Sequence, residues 1–121
     1  MITFEINGKE YELKLTYKSI KYLNGQFKGG SYELIGKALQ GDFETFPYIV
    51  HAGLFHTDEN IALKNVEERI ENLINNGELS LEDIAIICDK VVTQSFFYKA
   101  TVEKLMKNNP EMKKSLEQLR G

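Results

Sequence analysis

The chain has 121 residues, a formal net charge of −3 and one cysteine. This length suits one domain, and the apolar fraction of 42% and charged fraction of 27% exclude a disordered or low-complexity chain. The negative charge argues against bulk attraction to nucleic acid, and a single cysteine excludes an intrachain disulfide and a cysteine metal cluster. No basic start leads into an apolar segment and no apolar run nears about 20 residues, so neither secretion nor a membrane span is expected.

The first fifteen residues predict a β-hairpin. Apolar and polar residues alternate over residues 2–6, which is the two-residue period of a half-buried strand. The pair Asn7-Gly8 is typical of a two-residue type I′ turn, and the alternation resumes over residues 11–15. An isolated hairpin is only marginally stable, so its apolar face must pack on the rest of the chain.

The stretch from residue 16 to residue 108 is expected to be helical, because apolar residues recur every three or four positions. The helix after Pro47 is apolar nearly all round, which predicts a central, buried helix. From Leu81 the apolar stripe continues, so one long helix is predicted to about Asn108. Glycine, proline and polar capping residues predict breaks at residues 29–30, 42–47, 57–60 and 75–77.

The predicted fold class is mainly α, with an N-terminal β-hairpin packed on a bundle of about five helices and one long C-terminal helix. Residues 1–121 form one domain: the hairpin (1–15), the helical body (16–108) and a charged C-terminal tail or short helix (109–121). On the helices we expect Ile84, Cys88 and Val91 in the core, and Glu67, Glu68 and Glu71 exposed.

No set of residues predicts a catalytic, cofactor or metal site. His51 and His56 are about 140° apart on a helix, so they cannot bind one metal from the same face. A small enzyme using His51 with Asp42 or Glu44 stays as an alternative, although acidic residues at helix starts are expected for capping. Cys88 lies on the core stripe and is read as a small buried hydrophobe.

Two surfaces are candidates for binding a macromolecule. The helix from Lys18 to Lys28 mixes basic and aromatic residues, and the alternative function is a small helical regulatory domain that binds nucleic acid through it. The three consecutive aromatic residues Phe96, Phe97 and Tyr98 point in steps of about 100° on a helix. They belong either to a helix buried on two sides or to an exposed patch that binds a partner or another copy, and they are the candidate protein-binding residues.

The chain resembles the short tail assembly chaperones of long-tailed (siphovirus-type) phages, and of prophages of Gram-positive bacteria. The likeness runs from residue 2 to about Met106 and consists of hairpin, capping and core signals. The segments that carry it are the hairpin 2–15, Tyr17-Lys18-Ser19-Ile20, the junction 41–47, His51-Ala52-Gly53-Leu54 and Leu81-Glu82-Asp83-Ile84.

The resemblance implies a binding protein rather than an enzyme. Members of this family are thought to bind the tape-measure protein and keep it available while tail-tube subunits assemble around it. A longer form, often made by ribosomal frameshifting, recruits the tail-tube protein, and the lysine codons of Lys113-Lys114 are a candidate slippery site. The resemblance further implies action in the host cytoplasm and absence from the mature virion. A second copy of the chain is a further candidate partner, expected from the aromatic residues 96–98.

Overall fold

The computed structural model describes residues 2–121, and the chain is 63% helical. A hairpin of β1 (Thr3–Ile6) and β2 (Lys9–Glu12) comes first. A 3-10 turn, Phe55–Thr57, and a π-helical turn, Asp89–Thr93, interrupt the helices that follow. Within residues 2–121 these helices are α1 (Tyr17–Gly25), α2 (Gly30–Leu39), α3 (Phe46–Gly53), α4 (Leu63–Asn75), α5 (Leu81–Cys88), α6 (Lys99–Lys107) and α7 (Pro110–Arg120). The predicted mainly α class with an N-terminal hairpin is confirmed.

The hairpin has the register that its sequence predicts. Asn7 and Gly8 both adopt positive φ, +53° and +83°, as a type I′ turn requires. Phe4 lies opposite Tyr11 in the antiparallel pair, and Phe4 and Ile6 are buried against the helices. The prediction of a β-hairpin with one apolar face is therefore confirmed.

The hairpin is held to the helical body at both of its strands. From α4, Arg69 donates through Nε to the Glu5 carbonyl at 3.0 Å and through Nη2 to Glu5 Oε1 at 2.9 Å. Beyond β2, the Lys14 amide donates to the carbonyl of Gly53 at 3.0 Å. A side chain at Gly53 would meet Leu13 at 3.2 Å, so glycine permits this close approach of the chain to the end of α3.

The helix α3 lies at the centre of the core, as its sequence predicts. Phe46, Ile49, Val50 and Ala52 have no measurable exposure. Helices α1, α4 and α5 all pack against α3. The predictions for other core and surface positions are also confirmed: Ile84, Cys88 and Val91 are buried, and Glu67, Glu68 and Glu71 are exposed.

The prediction of one long helix over residues 81–108 is wrong, because the structure has two helices in this stretch with a break between them. Helix α5 ends at Cys88, the π-helical turn follows, and α6 begins only at Lys99. Thr93 Oγ1 donates to the Asp89 carbonyl at 2.9 Å, and Ser95 Oγ donates to the Val92 carbonyl at 2.7 Å. Side chains that bond to the preceding turn compete with the helical ladder, which accounts for the break.

Candidate functional site

The three consecutive aromatic residues lie in the break between α5 and α6, and they differ in exposure. Phe96 is 80% exposed and Phe97 is 51% exposed, whereas Tyr98 is 1% exposed. The ring of Phe97 meets the ring of Tyr98 edge-on, with centroids 5.0 Å apart. We call the two exposed side chains, Phe96 and Phe97, the aromatic knob; Tyr98 anchors it to the core.

The side chain of Tyr98 is almost fully buried. Its hydroxyl has no hydrogen-bond partner among residues 2–121, and burial raises the pKa of the phenol. The neighbouring Ser31 hydroxyl donates instead to Asn24 Oδ1 at 2.8 Å. The tyrosine ring is therefore held by packing, and it fixes where the aromatic knob leaves the core.

A buried carboxylate, that of Asp89 in the π-helical turn, binds the end of α7. Asp89, whose side chain is 4% exposed, accepts two hydrogen bonds of 2.9 Å from Arg120. Gln94 Nε2 and Thr93 Oγ1 also donate to this carboxylate. Burial alone acts to raise the pKa of Asp89, but these hydrogen bonds outweigh it and the pKa is lowered. Asp89 is therefore a satisfied structural anion rather than a free acid.

Charge is distributed unevenly along the chain. After Thr93 there are six basic and three acidic residues, a net charge of +3. Up to Thr93 there are nine basic and fifteen acidic residues, a net charge of −6. The segment that carries the aromatic knob, α6 and α7 is thus basic, and the rest of the domain is acidic.

A second apolar surface lies where α3 and α4 pack together. It is an open groove of about 650 Å³, which we call the acidic groove. Its apolar lining comes from Phe43, Pro47, Tyr48, Ile70 and Ile74, and its rim carries the carboxylates of Glu44, Glu67 and Glu71. Phe43 stays 52% exposed, and within residues 2–121 none of the three rim carboxylates forms an ion pair.

Sequence reasoning missed this groove, although one signal was present. Glu67 and Glu71 stand four residues apart on α4, and like charges at this spacing disfavour a helix. Ile70 and Ile74 lie beside them at the same spacing, so an apolar strip runs next to an acidic one. Only the pairing of α4 with α3 turns these strips into a groove.

His51 and Asp42, which were considered for catalysis, make structural hydrogen bonds. His51 Nε2 donates to the Ile61 carbonyl at 2.9 Å, so Nδ1 accepts from the Tyr22 hydroxyl at 3.1 Å. Asp42 Oδ2 accepts from the amide of Thr45 at 3.0 Å and from its hydroxyl at 2.6 Å, before α3. Within residues 2–121, no three histidine, cysteine or acidic side chains are grouped so that they could hold a metal ion.

Cys88, the last residue of α5, is fully buried. Burial, with smaller contributions from the carboxylates of Asp42 and Asp89, raises the pKa of the Cys88 thiol to about 12. A thiol with this pKa is not a ready nucleophile.

The predicted basic helix from Lys18 to Lys28 is shorter in the structure, because α1 ends at Gly25 and Lys28 lies in the turn beyond it. Lys18 Nζ lies 5.5 Å from the ring centroid of Phe55, while Lys21 and Lys28 face solvent. The helix itself begins with a reciprocal cap, in which Thr16 and Ser19 each bond the other's backbone amide. This arrangement is that of an ordinary solvated helix face. No helix in residues 2–121 has the length and apolar character needed to cross a bilayer.

The fold is that of a small helical domain with two exposed apolar surfaces, the aromatic knob and the acidic groove. The sequence model of the phage tail assembly chaperone (TAC) family matches residues 3–107, which is most of the chain. The chain therefore belongs to the phage tail assembly chaperone family. No curated protein and no solved structure matches it. The family description indicates protein partners in tail assembly and a role other than catalysis.

Proposed function

We propose that the chain binds the tape-measure protein of a phage tail and helps to bring tail-tube subunits to it. Membership of the tail assembly chaperone family over residues 3–107 is the observation that carries this proposal. The chain acts by binding without turnover, in the host cytoplasm, and leaves before the virion is complete.

The surfaces of the domain suit such a role. A tape-measure protein is a long helical ruler, and an amphipathic helix binds by laying its apolar face against an apolar groove or patch. The acidic groove and the aromatic knob are both apolar surfaces of this kind. An overall negative charge favours the solubility of a complex that carries many bound copies.

The candidate protein-binding residues enter this proposal in two roles. Phe96 and Phe97 contact a protein partner, and Tyr98 supports them from the core. Phe97→Asp is expected to weaken capture of the tape-measure protein or self-association while leaving the circular dichroism spectrum unchanged. Loss of the folded spectrum in that variant would place Phe97 in the core and the contact elsewhere.

Co-expression with the tape-measure gene of the same genome tests the main proposal. The tape-measure protein should stay in the supernatant and co-purify with the tagged chain, and it should aggregate when the chain is omitted. The matched control is a tape-measure protein expressed with an unrelated acidic helical protein. Equal aggregation with and without the chain would contradict the proposal.

We further propose that the gene belongs to a siphovirus-type phage or prophage of a Gram-positive host and is also translated into a longer, frameshifted form. The longer form would carry the contact to the tail-tube protein. The codons of Lys113-Lys114 are the place to look for a slippery sequence. Mass spectrometry of the longer product checks this, and a gene without a slippery heptamer or an overlapping frame would contradict it.

A further inference from the structure

Few groups hold helix α7 to the rest of the domain. Only one of its side chains, that of Leu116, is fully buried, and Met112 and Leu119 are half-buried. Arg120 adds the two-pronged bond to Asp89. The other side chains of α7 are exposed. The attachment of this helix therefore depends on one apolar strip and one guanidinium group.

The packing around α7 is incomplete. An open cleft of about 390 Å³ lies along α6 and α7, and its apolar lining includes Val102, Met106 and Leu116. A second cleft of about 340 Å³ lies where Leu119 and Arg120 meet α5 and the π-helical turn. Helices that belong to a close-packed core interdigitate with their neighbours and leave no such spaces. Helix α7 is thus seated on the domain rather than built into its core.

The surface beneath α7 has the features of a groove that binds a helix. We call it the α7 seat and define it by Asp89, Val102 and Met106. The two apolar residues stand four apart on α6 and so share one face of that helix. Thr93 and Gln94 donate to the Asp89 carboxylate, which is therefore positioned by groups that do not belong to α7. The seat offers an apolar strip and a pre-positioned anion.

Helix α7 itself shows which ligand chemistry the seat accepts. Met112, Leu116 and Leu119 stand at i, i+4 and i+7, which is the spacing of the anchor residues in an amphipathic helix bound to a groove. Arg120 follows at i+8 and reaches the carboxylate with two nitrogen atoms. Such a bidentate pair adds geometric specificity as well as affinity.

A short link keeps α7 close to its seat. Only residues 108–109 separate α6 from α7. Asn109 Oδ1 accepts from the Met112 amide at 3.2 Å, and Pro110 is the first residue of the helix, so α7 begins with its own cap. A short tether gives an effective concentration on the order of millimolar. The seat lies within residues 3–107, which the family model matches, whereas α7 lies beyond them.

We propose that α7 is a displaceable, autoinhibitory occupant of a groove that binds an amphipathic helix of a protein partner. The partner helix carries apolar residues at i, i+4 and i+7 and an arginine at i+8, the pattern of α7. When it binds, α7 leaves the seat and the Asp89 carboxylate accepts the guanidinium of the partner in place of Arg120. This inference goes beyond the proposed function, because it assigns a further surface and does not require the partner to be the tape-measure protein.

A tethered competitor has a measurable consequence. The apparent affinity for a helix added in trans is reduced by the fraction of chains whose seat is open. A substitution that weakens only the attachment of α7 should therefore strengthen binding of the added helix, although the seat itself is unchanged. A helix that is merely part of the fold would not give this gain of binding.

Fluorescence anisotropy of a labelled synthetic peptide of residues 108–121, titrated with the full chain, tests the proposal. The wild-type chain should bind this peptide weakly. Leu116→Ser in the chain removes the one fully buried side chain of α7 and should tighten binding by about tenfold, because loss of a buried leucine shifts an equilibrium by at least this factor. Arg120→Ala in the chain is a second release variant and should also bind the peptide more tightly than the wild type does.

Two sets of controls show whether the seat is specific. Gln118→Ser alters an exposed position of the same helix and should change the apparent affinity by no more than about twofold. Peptides that carry Leu116→Ser or Arg120→Ala, and a peptide with the same residues in scrambled order, should bind the released chain about tenfold more weakly than the native peptide does. Equal binding of the scrambled peptide would show general adhesion and overturn the proposal.

Hydrogen exchange of the variants checks that α7 alone is released. In Leu116→Ser and Arg120→Ala, the amides of α7 should lose protection while those of α5 and α6 keep it. Loss of protection throughout α5 and α6 would show that α7 is integral to the fold, and equal peptide binding by wild type and both release variants would show that it is no competitor. Sedimentation velocity covers a further case: a wild-type dimer that Leu116→Ser abolishes would place α7 in a second copy. Each of these results would overturn the proposal.

The peptide experiment needs no phage protein other than this chain, so its result is separate from that of the tape-measure experiment. Capture of the tape-measure protein by a chain whose α7 is not displaced would leave the proposed function standing and remove this inference. Release-dependent peptide binding without tape-measure capture would do the reverse.

Discussion

Arg120 reaches across 31 residues of sequence to hold Asp89, with Nε and Nη2 each 2.9 Å from a carboxylate oxygen. Asp89 lies within the segment that matches the chaperone family, and Arg120 lies in α7, beyond that segment. The two-pronged bond thus ties α7 to the π-helical turn beside the aromatic knob. Because the carboxylate is buried, its charge depends on this partner.

Replacement of Arg120 should destabilise the domain, because it leaves the buried carboxylate of Asp89 without its cationic partner. Arg120→Ala is expected to lower the free energy of unfolding by about 1–3 kcal/mol, less than for a fully buried pair because the arginine is partly exposed. Arg120→Lys should restore only part of the loss, since an ammonium cannot make the two-pronged bond. Urea unfolding measures both variants. An unchanged midpoint for Arg120→Ala would contradict a stabilising role of the Asp89–Arg120 pair.

The hydroxyl of Tyr98 should not stabilise the folded domain. Tyr98→Phe removes a buried group without a partner among residues 2–121, so the free energy of unfolding should stay unchanged or rise by up to about 2 kcal/mol. Tyr98→Ala, which removes the ring, should lower it by about 3–5 kcal/mol. Thermal and urea unfolding compare the two. A clear loss of stability in Tyr98→Phe would show that the hydroxyl is bonded in solution.

His51 should make the domain less stable in mild acid. Burial lowers the pKa of His51, although its hydrogen bond to the Ile61 carbonyl opposes that shift. Between this pKa and the unfolded value of about 6.5, the unfolded chain binds the extra proton, so stability falls as pH drops through that window. The slope from this one group is at most about 1.4 kcal/mol per pH unit.

Urea unfolding at several pH values between about 5.5 and 7.5 measures this slope. His51→Gln should reduce it. His56→Gln is the matched control, since it removes the other histidine and should retain the slope due to His51. Equal slopes in wild type and His51→Gln would contradict the assignment.

The parts of the fold that sequence predicts well are those with local causes. The turn at Asn7-Gly8 fixes the hairpin register, because few other residues accept two successive positive φ angles. The side chains of α3 are apolar on nearly every side of the helix, so the helix is stable only when it is buried at the centre of the core. In both cases the decisive residues lie close together in the chain.

The parts that sequence did not predict depend on residues that are distant in the chain. The break after Cys88 involves Asp89, whose charge is balanced by Arg120 from α7. The acidic groove requires α3 to lie against α4, so neither helix predicts it alone. Phe96 and Phe97 are exposed and Tyr98 is buried in the stretch between the π-helical turn and α6, a difference that depends on how this stretch packs. The sequence groups Phe96, Phe97 and Tyr98 as one candidate binding set, and only the structure separates the two exposed rings from the buried one.

Replacement of the buried side chain of Ile84 should strongly destabilise the domain. Ile84→Ala is expected to lower the free energy of unfolding by about 2–5 kcal/mol, because a buried large side chain is removed. Leu81→Ala, three residues earlier in the same helix and exposed, is the matched control and should cost no more than about 0.5 kcal/mol. Denaturant unfolding measures both variants. Similar losses in the free energy of unfolding would contradict the assignment of Ile84 to the core and Leu81 to the surface.

Cys88 should be unreactive until the domain opens. The thiolate is the species that attacks, and with a pKa of about 12 only about one thiol in ten thousand is ionised near pH 8. The sulfur is also fully buried, so a reagent needs local or global unfolding to reach it. Ellman's reagent should therefore give almost no colour with native chain and one thiol per chain in urea. The rate at intermediate urea should follow the opening of α5, and Ile84→Ala should raise it. Rapid, complete reaction of the native chain would show that Cys88 is accessible.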